Sequence, residues 1–256
     1  MVSRSSIRVG FWILSCLFVA APAEAAFTVA PGYDLLETAQ PTSFMNVPFQ
    51  GVPLGTFDFG SGSVGVGSAD TIVHRSGTAT VAGPGPGTAS AIPIELVALQ
   101  LESVAPVDLG AGLNNYFITL QSARGGPVSA GQMDITFASQ AGGTFSSFFD
   151  VFFDIRVGSL NGPIILSNDL VLSSNGTDWN RNPGANAVVI DGVNHNLNGS
   201  DQQADFWPGP ITEQHPSGAV HSVVEATVPE PSSLIVWSLI GLSLGIAGWR
   251  RRKRIA

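Results

Sequence analysis

Apolar and polar residues alternate in short runs between Phe27 and Val228, and Gly, Pro, Ser, Thr and Asn interrupt the runs every several residues. A period of two sends successive side chains to opposite faces of an extended chain, so each run predicts a strand with one buried and one wet face. The longest run sets Phe149, Val151, Phe153, Ile155 and Val157 against Asp150, Asp154 and Arg156. Met133, Ile135 and Phe137 oppose Gln132, Asp134 and Thr136, and Tyr116, Ile118 and Leu120 form another face. Val220, Ser222, Val224, Ala226 and Val228 alternate with His221, Val223, Glu225 and Thr227, which predicts a closing strand.

Weaker signals fill the gaps. Residues 56–59, 64–75, 164–172 and 187–190 are strand candidates, and Asn161-Gly162-Pro163 and Asn175-Gly176 supply turns. Residues 33–55 carry Pro41, Pro48 and Pro53 and read as an extended edge or loop. In residues 92–104, Ile94, Val97, Ala98 and Leu101 fit a helix face while Ile92 to Leu96 alternate, and a strand bulged near Val97 is the preferred reading. About eight to ten strands in one domain predict an all-β fold, an antiparallel β-sandwich of jelly-roll-like or Ig-like form, over residues 27–227.

The ends depart from this pattern. Arg4 and Arg8 precede an apolar run over residues 9–20, and small residues with an Ala-x-Ala site follow, so residues 1–26 read as a secretory signal peptide. The rival reading, a lipobox ending at Cys16, is disfavoured by bulky Leu14 and by an apolar core that continues past the cysteine. At the other end Pro229-Glu230-Pro231 introduces an uncharged run, residues 232–249, which is followed by Arg250, Arg251, Arg252, Lys253 and Arg254. As a helix the run would span roughly 27 Å, enough for a short membrane crossing. The cations would stay on the cytoplasmic side and leave the body on the other.

Residues 228–256, a Pro-Glu-Pro triplet, an apolar stretch rich in Gly, Ser and Ala, and a basic tail in that order, resemble the PEP-CTERM sorting signal of bacterial envelope proteins. The resemblance implies that exosortase, a membrane-embedded cysteine protease, recognises residues 229–231 and removes the signal. It also implies that Arg250 to Arg254 act as the retention anchor, and it implies no activity for the body. A permanent single-pass anchor is the alternative.

Composition narrows the partners. With both end segments set aside, Arg75, Arg124, Arg156 and Arg181 face seventeen acids with no lysine, a net charge of −13. Such a body cannot neutralise a phosphate backbone, which excludes nucleic acid. Cys16 is the only cysteine, so the body has no disulfide, no thiolate nucleophile and no cysteine metal site.

Candidate chemistry is sparse. Asp150 and Asp154 would share a strand face, about 13 Å apart at their α-carbons, too far for a glycosidase pair and more consistent with a solvated face with Arg156 near Asp154. His74, His195, His215 and His221 form no zinc-hydrolase spacing and read as surface or loop residues, and no Gly-x-Ser-x-Gly elbow occurs. Gly60-Ser61-Gly62-Ser63-Val64-Gly65 has dinucleotide-fingerprint spacing but opens no helix, so it reads as a turn.

Asn194, Asn196 and Asn198 with Gly199 and Asp205 copy the spacing of a calcium loop, with amides where carboxylates are usual. Trp179, Phe206 and Trp207, beside amides and acids, are the candidate glycan-binding aromatics. No catalytic residue emerges. The expectation is therefore a non-enzymatic structural or glycan-binding protein of the cell surface or extracellular matrix. Its expected partners are Sec-type export machinery, signal peptidase, an exosortase-like protease and exopolysaccharide; the alternative is a polysaccharide or ester hydrolase whose site assembles only in three dimensions.

Overall fold

The computed structural model describes residues 26–81, 85–110, 112–190, 193, 205–216 and 220–228. Nine strands carry the architecture: β1 (Gly32–Thr38), β2 (Thr71–Arg75), β3 (Ile92–Ser103), β4 (Tyr116–Leu120), β5 (Ser129–Ser139), β6 (Gly142–Val157), β7 (Ile164–Asn180), β8 (Ile211–Gln214) and β9 (Val220–Glu225). They pair antiparallel in the order β7, β8, β9, β1, β2, β3, β4, β6, and β6 returns to β7. The fold is thus all-β, and its sheet closes into an eight-stranded barrel rather than the expected sandwich. Closure removes the two edges that an open sheet would leave unpaired.

The length of three strands explains the closure. β3 has 12 residues, β6 has 16 and β7 has 17, so each can carry more than one neighbour along a side. β5 pairs one half of β3 (Ile92 with Met133) and β4 the other (Leu101 with Ile118), and both then pair β6. On the other side of β3 lie β2 and the strand Val47–Gly51. The register of β2 on β3 shifts between Leu96 and Ala98, the bulge expected near Val97. β6 and β7 slip twice, between Phe145 and Ser147 and between Ile155 and Arg156. Bulges add twist and bend, and long bent strands allow one sheet to curl onto itself.

Alternation fills the barrel: Leu36, Val73, Leu96, Ile118, Phe149, Val151 and Val223 are buried in one continuous core. A second, smaller core lies on the outside of β1 and β2, where Leu35, Ile72 and Ala98 meet Val66, Val188 and Ala226. That outer cover is why β4-like burial on both faces also occurs along residues 34–36. Residues 33–55 are extended, as one of the two expected readings had it: β1 is followed by a hairpin of Thr42–Phe44 and Val47–Gly51, and residues 52–55 lie outside the strands. Met45 (φ 52°) and Asn46 (φ 63°) form the hairpin's two-residue turn, the left-handed pair that matches strand twist.

The glycine-rich stretch at 60–65 opens with the expected turn, over residues 59–62. The turn joins Thr56–Asp58 to Ser63–Gly65, and Asp58 Oδ1 accepts from the amides of Gly60 and Gly62 at 2.8 and 3.0 Å. Residues 64–75 split into two strands, and residues 187–190 contribute only the bridge of Ala187 to Thr227. No helix of the described residues is long and apolar enough to cross a membrane. Residues 1–25 of the expected signal peptide 1–26, the Pro229-Glu230-Pro231 motif, the run 232–249 and the basic tail lie outside the described residues.

Candidate functional site

The hairpin tip and the last two strands meet at one end of the barrel. In β8 and β9 the antiparallel register sets Ile211 opposite Val223 and Glu213 opposite His221. With a period of two, Ile211 and Glu213 share the inner face with His221 and Val223. His221 is buried at 4% exposure, not a surface histidine, and its Nδ1 lies 2.8 Å from the hydroxyl of Thr42, itself buried at the start of the hairpin. Burial away from water disfavours the imidazolium and pushes His221 down to about 4. The same cause pushes Glu213 up to about 7.

Glu213 and His221 both line a small internal cavity of about 20 Å³, room for roughly one water, walled by Leu36, Val73, Ile118 and Val151. Among the described residues the Glu213 carboxyl has no hydrogen-bond partner. Above this cavity a cleft of about 330 Å³ opens beside the hairpin, and the two spaces share Phe44, Phe153, Leu170, Leu172 and His221 as walls. Phe44 reaches across the barrel end, its ring 5.8 Å from Phe153 and 6.0 Å from Phe49. The rim is polar, with Thr42, Ser43, Asn168, Asp169 and His215, and carries no Lys or Arg.

Chemically, the cleft is an apolar recess whose floor offers an uncharged imidazole near neutral pH, and the small cavity beneath it holds a carboxyl poised between its two forms. A hydroxyl, an imidazole and an acid converge, but Thr42 engages Nδ1 and Glu213 bonds neither, so the three do not form the relay of a hydrolase triad in this arrangement.

The residues singled out in the sequence lie elsewhere. Trp179, Phe206 and Trp207 are buried at 3, 0 and 3%, at the β5–β7 side of the core. Trp179 stacks on Phe206 at 5.1 Å and meets Phe137 edge-on at 5.2 Å, so these rings are packing groups and present no platform to a sugar. The reason is the alternation of β7, which turns Trp179 inward and its neighbours Asp178 and Asn180 outward. Arg75 lies over Phe206 at 4.8 Å and Arg181 over Trp179 at 5.4 Å, cations that extend the stack.

Asp205 is buried and its carbonyl oxygen accepts from Arg181 Nη1 at 3.1 Å, while Asn194, Asn196 and Asn198 lie outside the described residues. Among the described residues no three His, Cys, Asp or Glu side chains come together as a metal site.

The four arginines of the body are all engaged. Arg75 pairs with buried Asp34 through Nε at 3.0 Å and donates to the Ala30 carbonyl. Arg181 donates to the carbonyls of Gln140, Asp205 and Thr28. Asp154 is not solvated as expected: Arg124 covers it with Nε at 2.6 Å and Nη2 at 3.0 Å, Ser167 donates at 2.6 Å, and Arg156 stands 3.6 Å away. Hydrogen bonding from Arg124 holds its carboxyl below the usual carboxylate range.

Sequence reasoning missed Thr42, Glu213 and His221. Alternation along residues 220–228 places His221 on the face of Val223, but it does not say which face turns inward, and it carries no signal for Thr42 or Glu213. No curated protein and no solved structure matches the chain. Beyond the barrel, residues 227–253 match the family model of the PEP-CTERM protein-sorting motif, so the segment that follows β9 is a PEP-CTERM sorting signal.

Proposed function

We propose that this protein is an exported, exosortase-processed binding protein of the cell surface, and that the cleft beside the Thr42–Phe44 hairpin is its ligand site. The sorting motif implies export and surface sorting. Before processing, the uncharged run 232–249 and Arg250 to Arg254 hold the precursor in the membrane with the barrel outside. Mass spectrometry of the mature C-terminus tests this: a terminus near residues 229–231 is expected, and an intact basic tail would leave a permanent anchor instead.

The observation that carries the binding role is the pairing of a mostly apolar recess with His221, fixed by Thr42 at its floor. Small-ligand sites combine apolar walls with a few placed polar groups, and about 330 Å³ suits a small molecule. With Asp169 and two histidines but no Lys or Arg at the recess, the ligand is an apolar molecule that is neutral or cationic. The neutral fluorophore N-phenyl-1-naphthylamine should bind saturably at one site. Phe44→Ala and Leu170→Ser should weaken it by about tenfold or more, the loss of roughly one buried apolar contact surface. Absence of saturable binding would remove the cleft as a ligand site.

The surroundings of His221, with Thr42 bonded to it in the cleft and Glu213 opposite it in the adjoining small cavity, support a second reading, an ester or polysaccharide hydrolase in which a bound substrate realigns the three groups. Turnover of p-nitrophenyl esters or of polysaccharide that disappears in His221→Gln would favour it over binding alone.

A further inference from the structure

The last described residues, Ala226 to Val228, run directly into Pro229-Glu230-Pro231. Ala226 donates its amide to the Leu35 carbonyl at 2.8 Å and accepts from Val188 at 3.1 Å. Thr227 donates its amide to Ser68 Oγ at 2.8 Å and its carbonyl accepts from the Ser68 amide at 2.9 Å. Val228 donates to the Asn186 carbonyl at 2.9 Å. Three successive residues are therefore held between the loop at 66–68 and the segment at 186–188.

The loop is shaped for that contact. Gly67 has φ +61°, and a Cβ on it would lie 2.4 Å from the Thr227 carbonyl oxygen and 2.5 Å from Val188 Cγ2. Only a glycine lets the loop approach the departing chain so closely.

Between Val228 and the uncharged run that starts at Ser232 stand only Pro229, Glu230 and Pro231. Fully extended, three residues reach about 10 Å. Proteases and other binders of extended peptide grip it through its backbone over several residues, and here the residues on the body side of the motif already spend their backbone groups on the barrel.

We infer that the Ser68–Thr227–Asn186 clamp controls sorting: it holds the chain in the folded body up to the motif, and exosortase gains a full substrate only when residues 226–228 peel away. The clamp thereby brings this end of the barrel to within a few residues of the membrane surface and of the protease.

The inference rests on exosortase processing, and its test separates the two. In the native host, the full chain is pulse-labelled and conversion of precursor to mature form is followed. A flexible Gly/Ser insertion of about ten residues between Val228 and Pro229 supplies unclamped substrate without touching the barrel. Ser68→Ala removes the acceptor of the Thr227 amide, and the loss of one such bond corresponds to about fivefold in the peeled population. Precursor half-life should fall about fivefold in Ser68→Ala and at least as far with the insertion. An unchanged or longer half-life with the insertion overturns the clamp. A parent chain that is never converted, like a Glu230→Ala control, overturns the processing reading itself.

Discussion

Glu213 and His221 face each other across β8 and β9, an acid and a base that burial drives to neutrality from opposite sides of the pH scale. His221, lowered from 6.5 to about 4, leaves the unfolded chain with the extra proton between those values, so its contribution is full above pH 6.5 and is lost as pH falls toward 4. Glu213, raised from 4.5 to about 7, leaves the folded chain with the extra proton, so its contribution is full below pH 4.5 and is lost as pH rises toward 7.

The two slopes oppose each other between about pH 4.5 and 6.5 and largely cancel. Single substitutions should unmask them. Relative to the parent, His221→Gln should gain stability as pH falls from 6.5 to 4, by up to about 3 kcal/mol. Glu213→Gln should gain as pH rises from 4.5 to 7, by less, because the Glu213 side chain is only half-buried. Urea denaturation at stepped pH reads both, and parallel pH profiles for parent and variants would refute the opposed pair.

Asp34 and Arg75 make the opposite kind of pair, both charged and both sealed in the core at 4 and 1% exposure. Burial raises the Asp34 carboxyl while the neighbouring guanidinium pulls it down. Arg75→Met leaves that carboxyl buried without its partner and should cost about 3–5 kcal/mol, whereas the double variant with Asp34→Leu should recover most of the loss. Equal costs for the single and double variants would show that packing around Arg75, over Phe206, matters more than the charge pair.

The sorting motif is linear, so Pro229-Glu230-Pro231 and the cations after it could be read without a fold. The strands of the barrel were legible for a similar reason, since a two-residue period is a local property, and even the bulge at Val97 announced itself where alternation broke. Barrel and sandwich were not separable, because both present one apolar face inward with the same period; the distinction lies in β6 returning to β7, a contact between whole strands.

The candidate site was hidden for a different reason. Both faces of residues 220–228 carry valines, so nothing local said that His221 looked inward. Trp179 could have been placed correctly, since Asp178 and Asn180 on either side already occupied the wet face, and grouping it with nearby polar residues overrode that period.

Gly67 and Gly60 have the same left-handed backbone requirement, φ +61° and +94°, in different surroundings. Around Gly60 a Cβ would meet nothing within 4 Å, so Gly60→Ala should cost only the conformational penalty, about 1 kcal/mol. Gly67→Ala adds a backbone collision with Thr227 and should cost several kcal/mol, or else expel residues 226–228 from the barrel. Thermal unfolding gives the first outcome, and hydrogen exchange at the Thr227 and Val228 amides gives the second. Similar stability for the two variants with unchanged exchange would mean that the loop and the departing strand are not in contact.

Trp179 separates packing from recognition. Its ring sits among Phe137, Phe206 and Arg181, and truncation to alanine should cost about 3–5 kcal/mol by opening a cavity in this cluster. A glycan-binding role would instead predict a stable variant that has lost affinity for polysaccharide. Measuring both on Trp179→Ala at a temperature where the variant remains folded distinguishes the cases. Loss of stability with any glycan affinity intact is the expected result, because a ring at 3% exposure has no open face to offer a sugar.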